Sequence, residues 1–398
     1  MSDDPSLARW RDEFPILDRT VYMISNSLGA MPRAVAQSLA AYADTWATRG
    51  VRAWEERWWE LANDVSDRVA ALIGAPAGSV SMHENVTTAE AVALSCLPPQ
   101  GSRRTIVCTA MDFPSMVYLY RGWQAAGFEL KVVPALEDLS VPAERLAAAI
   151  DEHTAVVAFS HVLFRSSYIV DPRPVVERAH KMGAVVILDG YQSAGIVPVD
   201  VAALGVDFFV GGCLKWLCGG PGNAFLYTAP SVRDRVRPAL TGWVARQHPF
   251  GFDIEDDELR RDGMGMMNGT PSIPAYYAAL PGLDIIRQVG VDRIRTASVA
   301  MTQRLLALVD EYGFRTVAAR DADRLAGTVA VDLPDALPVS RALKARDFVV
   351  DYRPGVGIRI SPHFYNTMDE VDAIMTELAR IARDKDYDGH QSSRSLVT

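Results

Sequence analysis

The stretch Asp207-Phe-Phe-Val-Gly-Gly-Cys-Leu-Lys215-Trp-Leu-Cys-Gly-Gly-Pro-Gly222 sets a single lysine just past an apolar run and just before a glycine-rich turn. The run has the length and composition of a buried strand. A lysine at its end either carries its ammonium out to water or does chemistry. Burial favours the neutral amine, and only the neutral amine attacks a carbonyl, so Lys215 is a candidate for Schiff-base formation with an aldehyde. On residue type alone, a solvated lysine remains the other reading.

Upstream, Ala184-Val-Val-Ile-Leu-Asp189-Gly-Tyr-Gln192-Ser-Ala-Gly195 is a second short apolar run, and it ends in an acid. Further runs lie at Val80–Met82, Thr105–Thr109, Leu130–Val133, Ala155–Phe159 and Asn223–Tyr227, most of them separated by helical patterns. That alternation predicts an α/β fold around a mostly parallel sheet covered on both faces. Open sheets of this kind present functional groups at the carboxyl ends of their strands, which puts Asp189 and Lys215 on one edge.

Composition bounds the rest. The chain of 398 residues, 49% hydrophobic, is long enough for two or three domains and a large core. A net charge of -9 without a Lys/Arg-rich block argues against a nucleic-acid surface. Cys96, Cys108, Cys213 and Cys218 have neither zinc spacing nor a disulfide framework, so we expect a reducing cytoplasm and no structural metal. The opening Met1-Ser-Asp-Asp is acidic where a secretory leader is basic, and no apolar run reaches spanning length, which predicts no membrane association.

Several shorter motifs admit two readings each. Ser25-Asn26-Ser27-Leu-Gly29 is a turn ahead of the helix that Pro32 opens. The segment from Pro32 to Ile73 has helical spacing, with Trp46, Trp54, Trp58 and Trp59 as packing residues. Thr87 and Thr88 follow a strand and open a helix, where they either cap it or help bind an anion. Arg165 lies just past a strand end, near His161, which reads equally as a core residue or as a contact. From about Leu283 a helical segment runs to Tyr312, then short strands follow at Thr328–Asp332, Phe348–Val350 and Gly357–Ser361. Arg359, alternating with Ile358 and Ile360, reads either as a carboxylate fork or as a surface charge.

Asp189, Gln192 and Lys215, at this spacing and ahead of Gly-Gly-Pro-Gly, resemble the fold-type I, class V enzymes that use pyridoxal 5′-phosphate, and the kynureninases most of all. Ordered motifs from Asn26 to Asn366 carry the likeness: Asn-Ser-Leu-Gly, Met111-Asp-Phe113-Pro, Ser160-His-Val-Leu-Phe-Arg165, Gly242-Trp243, Asn268-Gly-Thr270-Pro and Ile358-Arg359-Ile-Ser-Pro, closing on Tyr365-Asn366. The resemblance implies that Lys215 carries the cofactor aldehyde and removes a substrate proton, while Asp189 keeps the ring nitrogen protonated. It places Thr87 and Thr88 at the phosphate, Phe113 on the ring face and Gln192 toward the phenolic oxygen. Arg359, Asn26, Ser27 and Arg165 fall to the amino-acid substrate, and Trp243 and Thr270 reach the phosphate of a neighbouring subunit in a homodimer with a shared site.

Some positions depart from that pattern. Met116 stands where kynureninases have an aspartate, Leu214 where they have a tyrosine that reaches the phosphate, and Leu163 and Phe164 where they have Asn and Tyr. Gln192 matches the cysteine-desulfurase branch rather than the histidine many kynureninases carry, yet no cysteine follows Cys218 to act as a persulfide carrier. The expected architecture is a fold-type I large domain with a mostly parallel seven-stranded sheet plus a small α+β domain. Its divisions are 1–45, joining the small domain; 46–282, binding the cofactor; 283–385, the small domain; and 386–398, a loose tail. The expected activity is hydrolytic Cβ–Cγ cleavage of a kynurenine-type amino acid, with an aminotransferase or carbon–sulfur lyase as the alternative. A non-catalytic binding protein that kept the fold is the third reading.

Overall fold

The computed structural model describes residues 5–387; the polar stretch expected to form a loose tail lies, from 388 onward, outside the described residues. The strands of the main sheet are β1 (Val80–His83), β2 (Thr105–Thr109), β3 (Glu129–Val133), β4 (Thr154–Ser160), β5 (Val185–Asp189), β6 (Phe208–Gly212) and β7 (Ala224–Thr228). They lie in the order β1-β7-β6-β5-β4-β2-β3, parallel except where β7 runs antiparallel to β1 and β6. The mostly parallel seven-stranded sheet expected from the sequence is therefore present. Its central strands are apolar at nearly every position because helices cover both faces, and only the edge strand β3 is largely exposed.

The helices that matter below are α1 (Ala34–Arg49), α2 (Trp59–Leu72), α3 (Val86–Ser95), α4 (Pro114–Trp123), α5 (Pro172–Met182), α6 (Ile273–Val289), α7 (Val291–Glu311), α8 (Ala336–Lys344) and α9 (Met368–Asp384). A single helix was expected from Leu283 to Tyr312. The chain instead breaks at Gly290, whose φ of 88° ends α6, and α7 starts at the next residue. Leu283, Ile286, Val289 and Ile294 belong to the buried cluster under the main sheet, and Met301 is the first α7 residue of a second cluster. Thus α6 packs with the large unit, although the sequence reading began the small unit at 283.

The second cluster sits under an antiparallel sheet of β8 (Val329–Val331), β9 (Asp351–Arg353) and β10 (Gly357–Ile360), in the order β9-β10-β8. Helices α7, α8 and α9 cover it, and α9 opens on a capping box between Thr367 and Glu370. The amino-terminal strand Val21–Tyr22 pairs with Phe348–Val349, and Ile24 bridges to Ser361. The chain then crosses to the lysine turn, where the Gly29 N–H donates to the Leu214 carbonyl at 3.0 Å. A Cβ on Gly29 would collide with the Lys215 carbonyl, so this close approach is what the glycine of Asn-Ser-Leu-Gly permits. Tyr365 holds the crossing, its hydroxyl 2.7 Å from Ser25 Oγ and accepting the Ala30 N–H at 3.2 Å. No helix among the described residues is long and apolar enough to cross a membrane.

Candidate active site

Strand β5 ends at Asp189 and its parallel neighbour β6 ends at Gly212, so the acid and the lysine turn come off the same edge of the sheet. Both line a cavity of about 360 Å³, a size suited to a small ligand. Burial draws the Lys215 amine below the ordinary lysine range, with Arg359 and Arg353 adding to the fall and Asp189 opposing it. Burial likewise raises the Asp189 carboxyl, opposed by the Tyr191 N–H that donates to Oδ1 at 2.8 Å and by Lys215. An amine made easier to deprotonate and an acid held beside it are what proton transfer near neutral pH requires.

Of the sequence candidates, Asn26, Ser27, Thr87, Phe113, Asp189, Gln192, Lys215 and Arg359 line this one cavity. Asn26 is buried, and neither atom of its carboxamide has a hydrogen-bond partner. Gln192 is already engaged: Nε2 donates to the Asn26 carbonyl at 3.0 Å, and Oε1 accepts from Trp216 Nε1 at 3.1 Å. Phe113 is 43% exposed and meets Phe164 edge-on at 5.3 Å, so two aromatic rings form one wall. At the start of α3, the Asn85 side chain accepts the Thr88 N–H at 2.9 Å and the Thr88 hydroxyl at 3.2 Å. Asn85 is therefore the cap, and Thr88, which it holds, does not line the cavity. Asn85, Val86 and Thr87 present the helix start to it, with the amides of Val86 and Thr87 in the first turn, where no intrahelical acceptor exists.

Arg359 is not the free fork its residue type suggested. Its Nε donates to Asp351 Oδ1 at 2.9 Å, its Nη2 donates to Asp351 Oδ2, and its Nη1 donates to the Phe164 carbonyl at 2.5 Å. A guanidinium has five N–H groups, so one remains on each terminal nitrogen. Asp351 is fully buried and also pairs with Arg353 at 3.1 Å, and Arg353 lines the cavity as well. Neither Asp351 nor Arg353 was singled out from the sequence. The signal was there: Asp351 and Arg359 face each other across the β9-β10 hairpin, and Arg353 shares their face by the two-residue period of a strand.

Other candidates do not come to the cavity in this chain. Arg165 sits with its guanidinium 5.5 Å from the Phe164 ring, outside the lining. Trp243 joins Trp59, Phe250 and Phe252 in an aromatic cluster elsewhere, and Thr270 is exposed. Their segments lie side by side, since a Cβ on Gly242 would meet the Asn268 backbone. Leu214 lines the cavity with a side chain that cannot hydrogen-bond, and Met116 with a thioether that accepts only weakly. The sequence also passed over Asp112, whose buried carboxylate accepts the N–H groups of Thr109 and Ser160, each at 2.7 Å, and so ties the ends of β2 and β4 together. All four cysteines are buried and unpaired, and burial raises every thiol, Cys96 and Cys213 to about 12. Among the described residues no cluster of His, Cys, Asp and Glu is arranged to hold a metal ion.

Residues 21–374 match the family model described as Aminotransferase class-V. A kynureninase of Pseudomonas fluorescens is 31% identical over 387 residues, covering 93% of this chain and 91% of that protein. An uncharacterized aminotransferase of Bacillus subtilis, YcbU, is 30% identical over 372 residues, 93% of this chain and 97% of its own length. Among solved structures, the apo cysteine desulfurase of Thermococcus onnurineus NA1 superposes with a TM-score of 0.84 at 20% identity, over 96% of this chain and 99% of that one. A mutant of C-DES with glycine covalently linked to its PLP cofactor gives 0.84 at 19% identity, over 93% and 98%.

Proposed function

The chain belongs to the aminotransferase class-V family of pyridoxal 5′-phosphate enzymes, and from that premise we propose that it hydrolyses the Cβ–Cγ bond of a kynurenine-type α-amino acid, releasing an aromatic carboxylic acid and alanine. The observation that carries this reading is the convergence on one cavity of Lys215, Asp189 and the Asp351-tethered Arg359 beneath an aromatic wall of Phe113 and Phe164. Kynureninases among the relatives over nearly the whole chain support it.

The donor set fits the cofactor. Asp189 is a buried acid suited to a ring nitrogen, the start of α3 with Thr87 suits a phosphate, and Phe113 offers a flat face. Bound pyridoxal 5′-phosphate supplies an aldehyde that condenses with amines and a conjugated ring that accepts electron density from Cα. Arg359 pairs its two remaining N–H groups with the substrate carboxylate, and Asp351 keeps the guanidinium from turning away. Lys215, lowered by burial, takes the proton from Cα as general base. Asp189 holds a proton at the ring nitrogen. Phe113, Phe164 and Val162 exclude water from the apolar side of the cavity and pack against an aromatic side chain. One water is consumed: its oxygen ends on the released acid and a proton on the methyl of alanine.

A second reading, transamination or carbon–sulfur cleavage, is favoured by Gln192, Leu214 and Met116, where kynureninases carry other groups. A persulfide route finds little support, since every thiol is buried and raised. The assembly we propose is a homodimer. Phe250 and Phe252, which pack on Trp243, are 59% and 73% exposed, an apolar patch that a second copy covers while presenting Trp243 and Thr270 to its neighbour's cavity. Incubation with kynurenine should yield anthranilate and alanine in equal amounts, and borohydride should fix the cofactor on Lys215. Keto-acid-dependent transamination without anthranilate overturns the hydrolytic reading, and a reduced label on any other lysine overturns the site. For the assembly, mixing Lys215→Ala with Thr270→Ala chains should restore part of the activity if each cavity is completed by its neighbour.

A further inference from the structure

Tyr191 lies between Asp189 and Gln192 and has no part in the roles assigned above. Its ring centroid is 4.4 Å from Lys215 Nζ, against 5.9 Å for Phe113. We infer that Tyr191 is a positioning residue whose ring face holds the Lys215 ammonium, steadying the charge each time that amine carries a proton. The inference rests on the reading of Lys215 as the reacting amine.

The geometry is built on both sides. The Tyr191 N–H is fixed on Asp189 Oδ1 at 2.8 Å, which sets the side chain at the end of β5. Its ring lies on the last residue of β6, Gly212, where any Cβ would collide with ring carbons and the hydroxyl. Only a glycine there lets the ring lie flat on the strand end. The lysine turn that follows is equally fixed: Cys213 N–H donates to the Asn223 carbonyl at 2.7 Å, Gly219 N–H to the Cys213 carbonyl at 2.7 Å, and Cys218 N–H to the Lys215 carbonyl at 3.0 Å. Ring and amine therefore meet because two rigid strand ends deliver them.

The electrostatic need is also present. Around Lys215, Asp189 and Asp351 favour the ammonium, Arg359 and Arg353 disfavour it, and burial disfavours it most. The negative face of an aromatic ring offsets part of that burial without adding a titrating charge. Burial raises the Tyr191 phenol far above neutrality, so the ring stays neutral over any working range.

A cation over a ring is worth about 0.5–2 kcal/mol, equivalent to about 0.4–1.5 pH units in the amine. The test is the rate at which apoenzyme captures added pyridoxal 5′-phosphate on Lys215, followed by absorbance across pH, whose inflection reports the free amine. Tyr191→Phe should leave the inflection in place, and Tyr191→Leu should lower it by about that range. A shape-preserving control is a fluorinated phenylalanine at 191, which keeps the ring's volume and removes its negative face; it should lower the inflection too, whether or not the Leu variant folds. An unmoved inflection with the fluorinated ring overturns the proposal, as does Tyr191→Phe shifting as far as Tyr191→Leu. If borohydride fails to label Lys215 in the parent protein, the reading of the lysine is at fault; a labelled Lys215 with an unmoved inflection sinks only the role of Tyr191.

Discussion

Replacing Asp351 by alanine is the most direct probe of the cavity wall. Asp351 is fully buried, and the Arg359 side chain it holds is 3% exposed, so the substitution leaves a largely desolvated guanidinium without its counter-ion. Removing one partner of such a buried pair costs about 3–5 kcal/mol, because the surviving charge loses its counter-ion while staying desolvated. Arg353, 20% exposed, can relax toward solvent and adds about 0.2–1 kcal/mol at most. Against a typical total of about 5–15 kcal/mol, the loss is large, and it should appear in the urea transition of the unit containing the second buried cluster. Asp351→Asn, which keeps one acceptor for Arg359, should lose less. The double variant Asp351→Ala, Arg359→Met should recover part of the deficit, since the stranded charge is gone. In Asp351→Asn, substrate KM should rise more than kcat falls, because Arg359 is loosened while Lys215 loses only the weakest of the charges acting on it. The reasoning fails if Asp351→Ala stays within about 1 kcal/mol of the parent, or if the double variant is as unstable as the two single losses summed.

Glu90 is buried with Tyr120 donating to it, and burial raises its carboxyl well above the ordinary value of 4.5. A folded pKa above the unfolded one gives stability that is present below 4.5 and lost as pH rises, so Glu90→Gln should gain on the parent by up to about 1.4 kcal/mol per pH unit above that point and nothing below it, as read from urea midpoints across pH. Gly29→Ala drives a methyl into the Lys215 carbonyl, so cofactor capture measured by absorbance should fall at least about tenfold, a cost of about 1.4 kcal/mol; capture at the parent's rate would remove the case for this close approach. Arg165→Ala removes a charge that lies outside the cavity, so kcat/KM should change by less than about threefold; a loss of about a hundredfold would restore the substrate role the sequence suggested.

How much of the molecule is legible in the sequence depends on how far each feature reaches along the chain. The strands were legible because a strand buried on both faces needs an unbroken apolar run, and 105–109, 154–160 and 185–189 supply one. The placing of Asp189 and Lys215 on one edge came from the sheet being parallel, since every such strand ends on the same side. Less was legible where a contact depends on a distant partner. That Thr88 spends its hydroxyl on Asn85 while Thr87 faces the cavity is decided by a capping geometry that two adjacent threonines do not announce. That Arg359 is tethered required knowing that Asp351 stands opposite it, which depends on hairpin register. The break between α6 and α7 was signalled by Gly290, but a continuous apolar pattern on either side outweighed it.

The same division bears on the reaction. Lys215 and Asp189 sit within a few residues of strand ends, where the backbone is fixed by the sheet, as the early steps proposed for them require. Met116, Phe164, Gln192 and Leu214, where this chain departs from the kynureninase pattern, line the cavity from helix and loop positions, where an exchange of side chain leaves the fold untouched. Phe164 illustrates the point most sharply. Its carbonyl accepts from Arg359 while its ring forms the aromatic wall with Phe113, so one residue holds the proposed carboxylate fork through its backbone and lines the cavity through its ring. Phe164→Tyr returns the hydroxyl that kynureninases carry without disturbing the carbonyl. It should therefore change kcat with kynurenine while leaving the binding of a simple amino acid such as alanine within about twofold; a parallel loss of both would mean the ring supports Arg359 rather than selects the substrate.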